Sequence, residues 1–109
     1  MTINQFLNQN TKLLRNEIIS EFESDFTTLD FIKKFARRFE EEYIDYLNRH
    51  KGNGAFKTIH GQIARFLAEN EPLLDIRRVR KVKSEDVFGN NDETYVWEKK
   101  KIFFNEYYY

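Results

Sequence analysis

A mainly α-helical domain of mixed α+β class, three helices followed by a C-terminal β-hairpin, is what this chain predicts. Three observations predict it. Apolar residues recur at helical spacing up to Pro72. From Asp75 onward the pattern turns strand-like, with Ile76, Val79 and Val82 on one side and "TYVWEKKKIFF" on the other. Between these two arms lies the turn cluster "FGNNDE".

The first helical segment is "TINQFLNQNTKLLRNEIISEF". Thr2 precedes Gln5 by three residues, the spacing at which side chain and backbone cap each other reciprocally. Leu7, Leu14, Ile18 and Phe22 follow at steps of seven or four, one helical face, with a weak middle at Asn8–Asn10. The second segment has the same capping spacing at Thr27 and Asp30, flanked by Phe26 and Phe31 at the positions of a hydrophobic staple. Ile32, Phe35, Ala36, Phe39, Tyr43, Tyr46 and Leu47 keep helical periodicity. This predicts one long helix from about Thr28 to Arg49, stopped by Gly52. "KGNGA" connects it to a third helix, about Phe56 to Asn70, whose buried stripe is Ile59, Ile63, Phe66 and Leu67. Pro72 prevents continuation and biases Glu71 away from helix.

With 109 residues, one domain is expected: a helical part to residue 71, a hairpin over 75–101 and an aromatic tail over 102–109. Aromatic residues make up 17% of the chain, enough large side chains to close a core in a short sequence. The chain has no Cys, which removes disulfides and thiolate metal sites. No apolar run is long enough for a signal segment or a membrane span, so a cytoplasmic protein is expected. Lys and Arg number 18, as do Asp and Glu, so any role on nucleic acid must come from how charge is distributed.

That distribution is uneven. Five of the seven residues from Arg77 to Lys83 are basic. The arm does not alternate, because Ile76, Arg78, Arg80 and Val82 share one parity and Arg77, Val79, Lys81 and Lys83 the other. Its middle is therefore expected to project with solvent on both sides. Tyr95 and Trp97, on the second arm, share a face able to pack on the helices.

Three helices followed by a basic hairpin resemble a winged-helix domain, a relative of the helix-turn-helix, over Thr28 to Lys101 and in element order. The resemblance implies that the third helix reads duplex DNA and the hairpin is the wing. The second helix is longer than the resemblance implies, and "KGNGA" is longer and richer in glycine.

On the outer face of the third helix stand Thr58, Gly61, Gln62, Arg65 and Glu69. Arg reads guanine and Gln reads adenine in two-point geometry, so Gln62 and Arg65 are the candidate base contacts, with Thr58 beside them in the candidate nucleic-acid-binding set. Arg77, Arg78, Arg80, Lys81 and Lys83, with Lys99 and Lys100 across the hairpin, are the candidate phosphate contacts. The competing reading of those cations is edge protection against aggregation. Lys33, Lys34, Arg37 and Arg38 are read as a solvated helix face, His60 as a packed residue and His50 as a cation near a helix C-terminus.

Phe103, Phe104, Tyr107, Tyr108 and Tyr109 are apolar enough either to pack on the body or to contact a partner protein or a second copy. Three functions follow. The first is a DNA-binding regulator of transcription or of a mobile element. The second is a bacterial or phage protein-interaction module on the same architecture. The third is a metal-dependent nuclease built from Asp75, Glu98 and the lysines beside it. The first two need no cofactor and no metal.

Overall fold

The computed structural model describes residues 1–86 and 88–100. The tail candidates Phe103, Phe104, Tyr107, Tyr108 and Tyr109 lie outside the described residues. Among the described residues the architecture is α+β, with six α-helices, one 3-10 turn and a three-stranded antiparallel sheet.

The first limb comprises α1 (Ile3–Gln9) and α2 (Thr11–Glu17), followed by a 3-10 turn (Ile19–Glu21). Both halves of the Thr2–Gln5 capping box form. The expected single helix is broken at Asn10, where φ is −115° and ψ 22°. There the Asn10 side-chain amide donates to the Phe6 carbonyl, satisfying a helix-terminal acceptor. Leu7, Leu14 and Ile18 nonetheless stay buried, so the two pieces present one apolar face.

A two-residue strand, β1 (Phe26–Thr27), comes next. Its residues have two jobs: Phe26 pairs with Trp97, and Thr27 caps the following helix with both capping-box bonds to Asp30. The long second helix is also divided, into α3 (Thr28–Arg38) and α4 (Glu40–Arg49). Phe39 leaves helical geometry at φ −120° and ψ 52° while its ring stays buried, 5.3 Å from Phe6 and 5.4 Å from Phe35. The charges around it agree with a boundary. Arg37 and Arg38 end one helix and Glu40, Glu41 and Glu42 start the next, each sign where the helix dipole favours it.

α5 (Ala55–Glu69) follows the Gly54 connection, and Ile59, Ile63, Phe66 and Leu67 are its buried stripe, as expected. Glu71 and Pro72 do not leave helix altogether. After a break at Asn70 they open a single-turn helix, α6 (Glu71–Leu74), since proline is accommodated in a first turn where its missing N–H is not needed. Asp75 then reverses the chain at φ 56°.

The hairpin consists of β2 (Ile76–Glu85) and β3 (Asn91–Lys99), and the strand order is β1-β3-β2. The turn is tighter than "FGNNDE" suggested, because Asn91, Asp92 and Glu93 pair with Glu85, Ser84 and Lys83 within the ladder. Asp86 holds the turn, accepting from the Phe88 and Asn90 N–H groups at 2.8 and 2.9 Å. A register shift between Arg78 and Arg80 leaves Val79 as the extra residue of a bulge. The bulge accounts for the failed alternation, since the parity of side chains changes there.

Trp97 is fully buried and its indole N–H donates to the Thr28 hydroxyl at 2.8 Å. This bond ties the base of the hairpin to the first turn of α3. Phe26, Phe31, Phe35, Ile76 and Trp97 belong to one core cluster that also draws on α1, α2, α5 and α6.

Candidate nucleic-acid interface

β2 is an outer strand of the sheet, hydrogen-bonded to β3 along one side. Arg77, Arg78, Val79, Arg80, Lys81 and Lys83 are all exposed on it. Residues opposite each other in the ladder share a face. The register therefore groups Arg78, Lys81 and Lys83 with Tyr95 and Trp97, and groups Arg77 and Arg80 with Val96 and Glu98.

On the first face Tyr95 is the organising residue. The Arg78 guanidinium lies 4.5 Å from its ring centroid and the Lys81 ammonium 5.1 Å. Contact with an aromatic face orients a cation without neutralising it. Lys81 also pairs with Glu93 at 3.7 Å, and on the other face Arg77 pairs with Glu98 at 2.7 Å. Both pairs are solvent-exposed, where such contacts contribute about 0–1 kcal/mol. A phosphate can replace these carboxylates at little cost. The side chains of Arg80 and Lys83 have no ion pair among the described residues.

On α5 the three candidate nucleic-acid-binding residues separate. Arg65 is exposed, whereas Thr58 and Gln62 are half-buried. The Thr58 hydroxyl points back to the Asn53 carbonyl at 3.4 Å, a local contact at the start of the helix. The exposed stripe of α5 is Lys57, Gly61, Arg65 and Ala68, at steps of four and three. A β-carbon built on Gly61 would meet nothing within 4 Å, so core packing does not require glycine there.

Lys99 is placed differently from the phosphate-facing position expected for it. Its ammonium donates to the Phe22 carbonyl at 2.7 Å and lies 3.5 Å from that of Ser20. It thus serves the carbonyls at the end of the 3-10 turn, a use of lysine favoured by the partial negative charge at a helix C-terminus. Lys100 is exposed, and its backbone N–H donates to the Asp75 carbonyl at 2.8 Å.

The Asp75, Glu98 and Lys99 side chains of the nuclease reading each have another partner. Asp75 pairs with Arg15 at 3.7 Å, Glu98 with Arg77, and Lys99 with the two carbonyls. Among the described residues no group of three His, Asp or Glu side chains comes together in a metal-holding arrangement. The basic cluster of α3 is partly used internally. Lys34 pairs with Glu21 at 3.5 Å and Arg38 with Glu17 at 2.5 Å, while Lys33 and Arg37 face solvent.

His60 lies where α4, α5 and the hairpin tip meet. Its ring stacks on Tyr43, with the Tyr43 hydroxyl 2.6 Å from Nε2, and the Phe56 ring meets it edge-on at 5.8 Å. Burial pushes the His60 pKa below the ordinary imidazole value, partly opposed by the Asp86 carboxylate. The Tyr43 hydroxyl and His60 Nε2 share a hydrogen bond, so His60 joins α4 and α5 as a packing residue.

No known family model, curated protein or solved structure matches this chain. No described helix is long and apolar enough to cross a membrane.

Proposed function

We propose that this chain is a small winged-helix-like module that binds duplex DNA, as a regulator of transcription or of a mobile element. The observation that carries the reading is β2: an outer strand on which five cations are exposed and two of them rest on Tyr95. Arg77, Arg78, Arg80, Lys81, Lys83 and Lys100 meet phosphate, and Arg65 on α5 reaches the bases. Half-buried Gln62 contributes at the edge of that contact, and half-buried Thr58 turns its hydroxyl to the Asn53 carbonyl. The order of helical limbs and hairpin supports the reading, as does the Trp97–Thr28 bond, which fixes the base of the wing to the first turn of α3.

The test is fluorescence anisotropy of a labelled mixed-sequence duplex titrated at several salt concentrations. Six phosphate contacts give a slope of log affinity against log salt of about −5, and the Arg80→Ala, Lys83→Ala double variant flattens it by about 2. Absence of binding at low salt, or a slope the double variant leaves unchanged, overturns the proposal. In the first case, loss of a partner protein on truncation after Lys101 becomes the measurement that supports the protein-interaction reading.

A further inference from the structure

The outer end of the hairpin is the part of the wing that DNA binding leaves unused. There the hairpin comes alongside α5, and a groove of about 560 Å³ lies between them. Its apolar floor includes Leu29, Ile32 and Ala64. Phe56 and Phe88 also line it, their rings edge-to-face at 5.0 Å, yet they remain 43% and 62% exposed. The wall on the hairpin side is acidic, with Glu85, Asp86, Asp92 and Glu93, against the single lysine Lys57 on α5. Polyanionic DNA is repelled by such a wall, so the groove suits a different occupant: cationic, with an apolar anchor.

The chain itself carries a segment of that chemistry. Arg77, Arg78, Arg80, Lys81 and Lys83 surround Val79, which the bulge pushes out to 41% exposure. One hairpin therefore bears a cationic stem and an anionic tip. Two such hairpins laid antiparallel put each stem against the other's tip, a self-complementary arrangement with two-fold symmetry. We infer that this surface is a homodimer interface, in which the Arg77–Lys83 arm of each copy lies along the acidic groove of the other with Val79 directed at Phe56 and Phe88. The bulge prevents a continuous ladder between the two outer strands, so side chains rather than backbone hydrogen bonds make the contact. Stem cations held in this way are withheld from phosphate, so the dimer and the DNA complex compete for one arm.

Sedimentation velocity on the full chain without nucleic acid tests the inference independently of DNA binding. A dimer is expected at about 50 mM salt, with its dissociation constant rising roughly tenfold or more toward 500 mM as the charges are screened. Two charge-reversed chains decide the geometry: a stem variant with Arg80→Glu and Lys83→Glu, and a tip variant with Glu85→Lys and Glu93→Lys. All four positions are exposed, so each chain should keep its fold, checked by circular dichroism. Each variant alone is expected to be monomeric. Mixed together they are expected to form a heterodimer, because reversed stem then meets reversed tip and the second contact is unaltered. A wild-type monomer at all concentrations at low salt overturns the inference. A dimer that survives both reversals, or one lost only on truncation after Lys101, overturns it too and assigns association to another surface.

Discussion

Replacing Gly61 with alanine should strengthen the fold and weaken the interface. Gly61 sits in the interior of α5, where glycine costs about 1 kcal/mol relative to alanine because more backbone freedom is lost on folding. A new Cβ at this position meets no atom within 4 Å, so no clash offsets the gain. Gly61→Ala is therefore expected to raise stability by about 0.5–1 kcal/mol, a rise of roughly 3–6 °C in the thermal midpoint for a chain of this size. Lys57 and Arg65 flank the position one turn away on either side; Gly61 and Lys57 also border the groove beside the hairpin tip, so the methyl group meets a duplex that comes onto α5 from the Arg65 side. Displacing one charge-assisted hydrogen bond costs about 1.5–3 kcal/mol, so duplex affinity should fall about tenfold or more. Thermal unfolding followed by circular dichroism reads the first effect and anisotropy the second. A less stable variant would refute the open-space argument. A more stable variant with unchanged affinity would refute the placement of α5 against DNA.

Two further outcomes test how the wing and α5 are held. Trp97→Phe removes an indole bond and leaves the buried Thr28 hydroxyl without that partner. Losses of about 2–4 kcal/mol are expected in urea denaturation, from the bond, the unmet hydroxyl and the smaller ring. Thr28→Val should cost about 1–3 kcal/mol and the two should combine non-additively; full additivity would show that the bond is not the coupling. His60 predicts acid sensitivity. Its folded pKa is lowered, so its contribution to stability is complete above the unperturbed value of about 6.5 and declines as pH falls below it. Asp86, also lowered, titrates in the carboxylate range and leaves this window to the imidazole. Urea midpoints between pH 7.5 and 5 should fall in the natural chain and change less in His60→Phe; equal slopes would remove His60 as the cause.

The parts of this protein legible in its sequence are those governed by short spacings. Thr2–Gln5 and Thr27–Asp30 form their capping boxes because the partners are three residues apart in a first helical turn. The apolar stripe of α5 and the hairpin follow from periodicity and turn chemistry in the same way. The break at Phe39 had a local signature too, in the reversal from Arg37–Arg38 to Glu40–Glu42, but the unbroken apolar period across it argued for one helix. Apolar spacing reports which side faces the core and is blind to a bend that keeps the same side inward. β1 had no such signature, since two residues carry no period and their pairing partners, Trp97 and Val96, lie far along the chain.

What the sequence determined by itself was a neutral, aromatic-rich α+β chain with a cationic stretch and helices capped by their own residues. Tertiary structure decided how those charges are used. Lys99 was indistinguishable from its neighbours in sequence, yet packing brings it to the Ser20 and Phe22 carbonyls and leaves Arg80 and Lys83 facing solvent. The Val79 bulge sets which cations share a face with Tyr95. The meeting of an acidic hairpin tip with α5 joins residues about thirty positions apart, from Phe56 to Phe88. Charge type is a local property of a residue, but the field it contributes depends on neighbours that only the folded chain supplies.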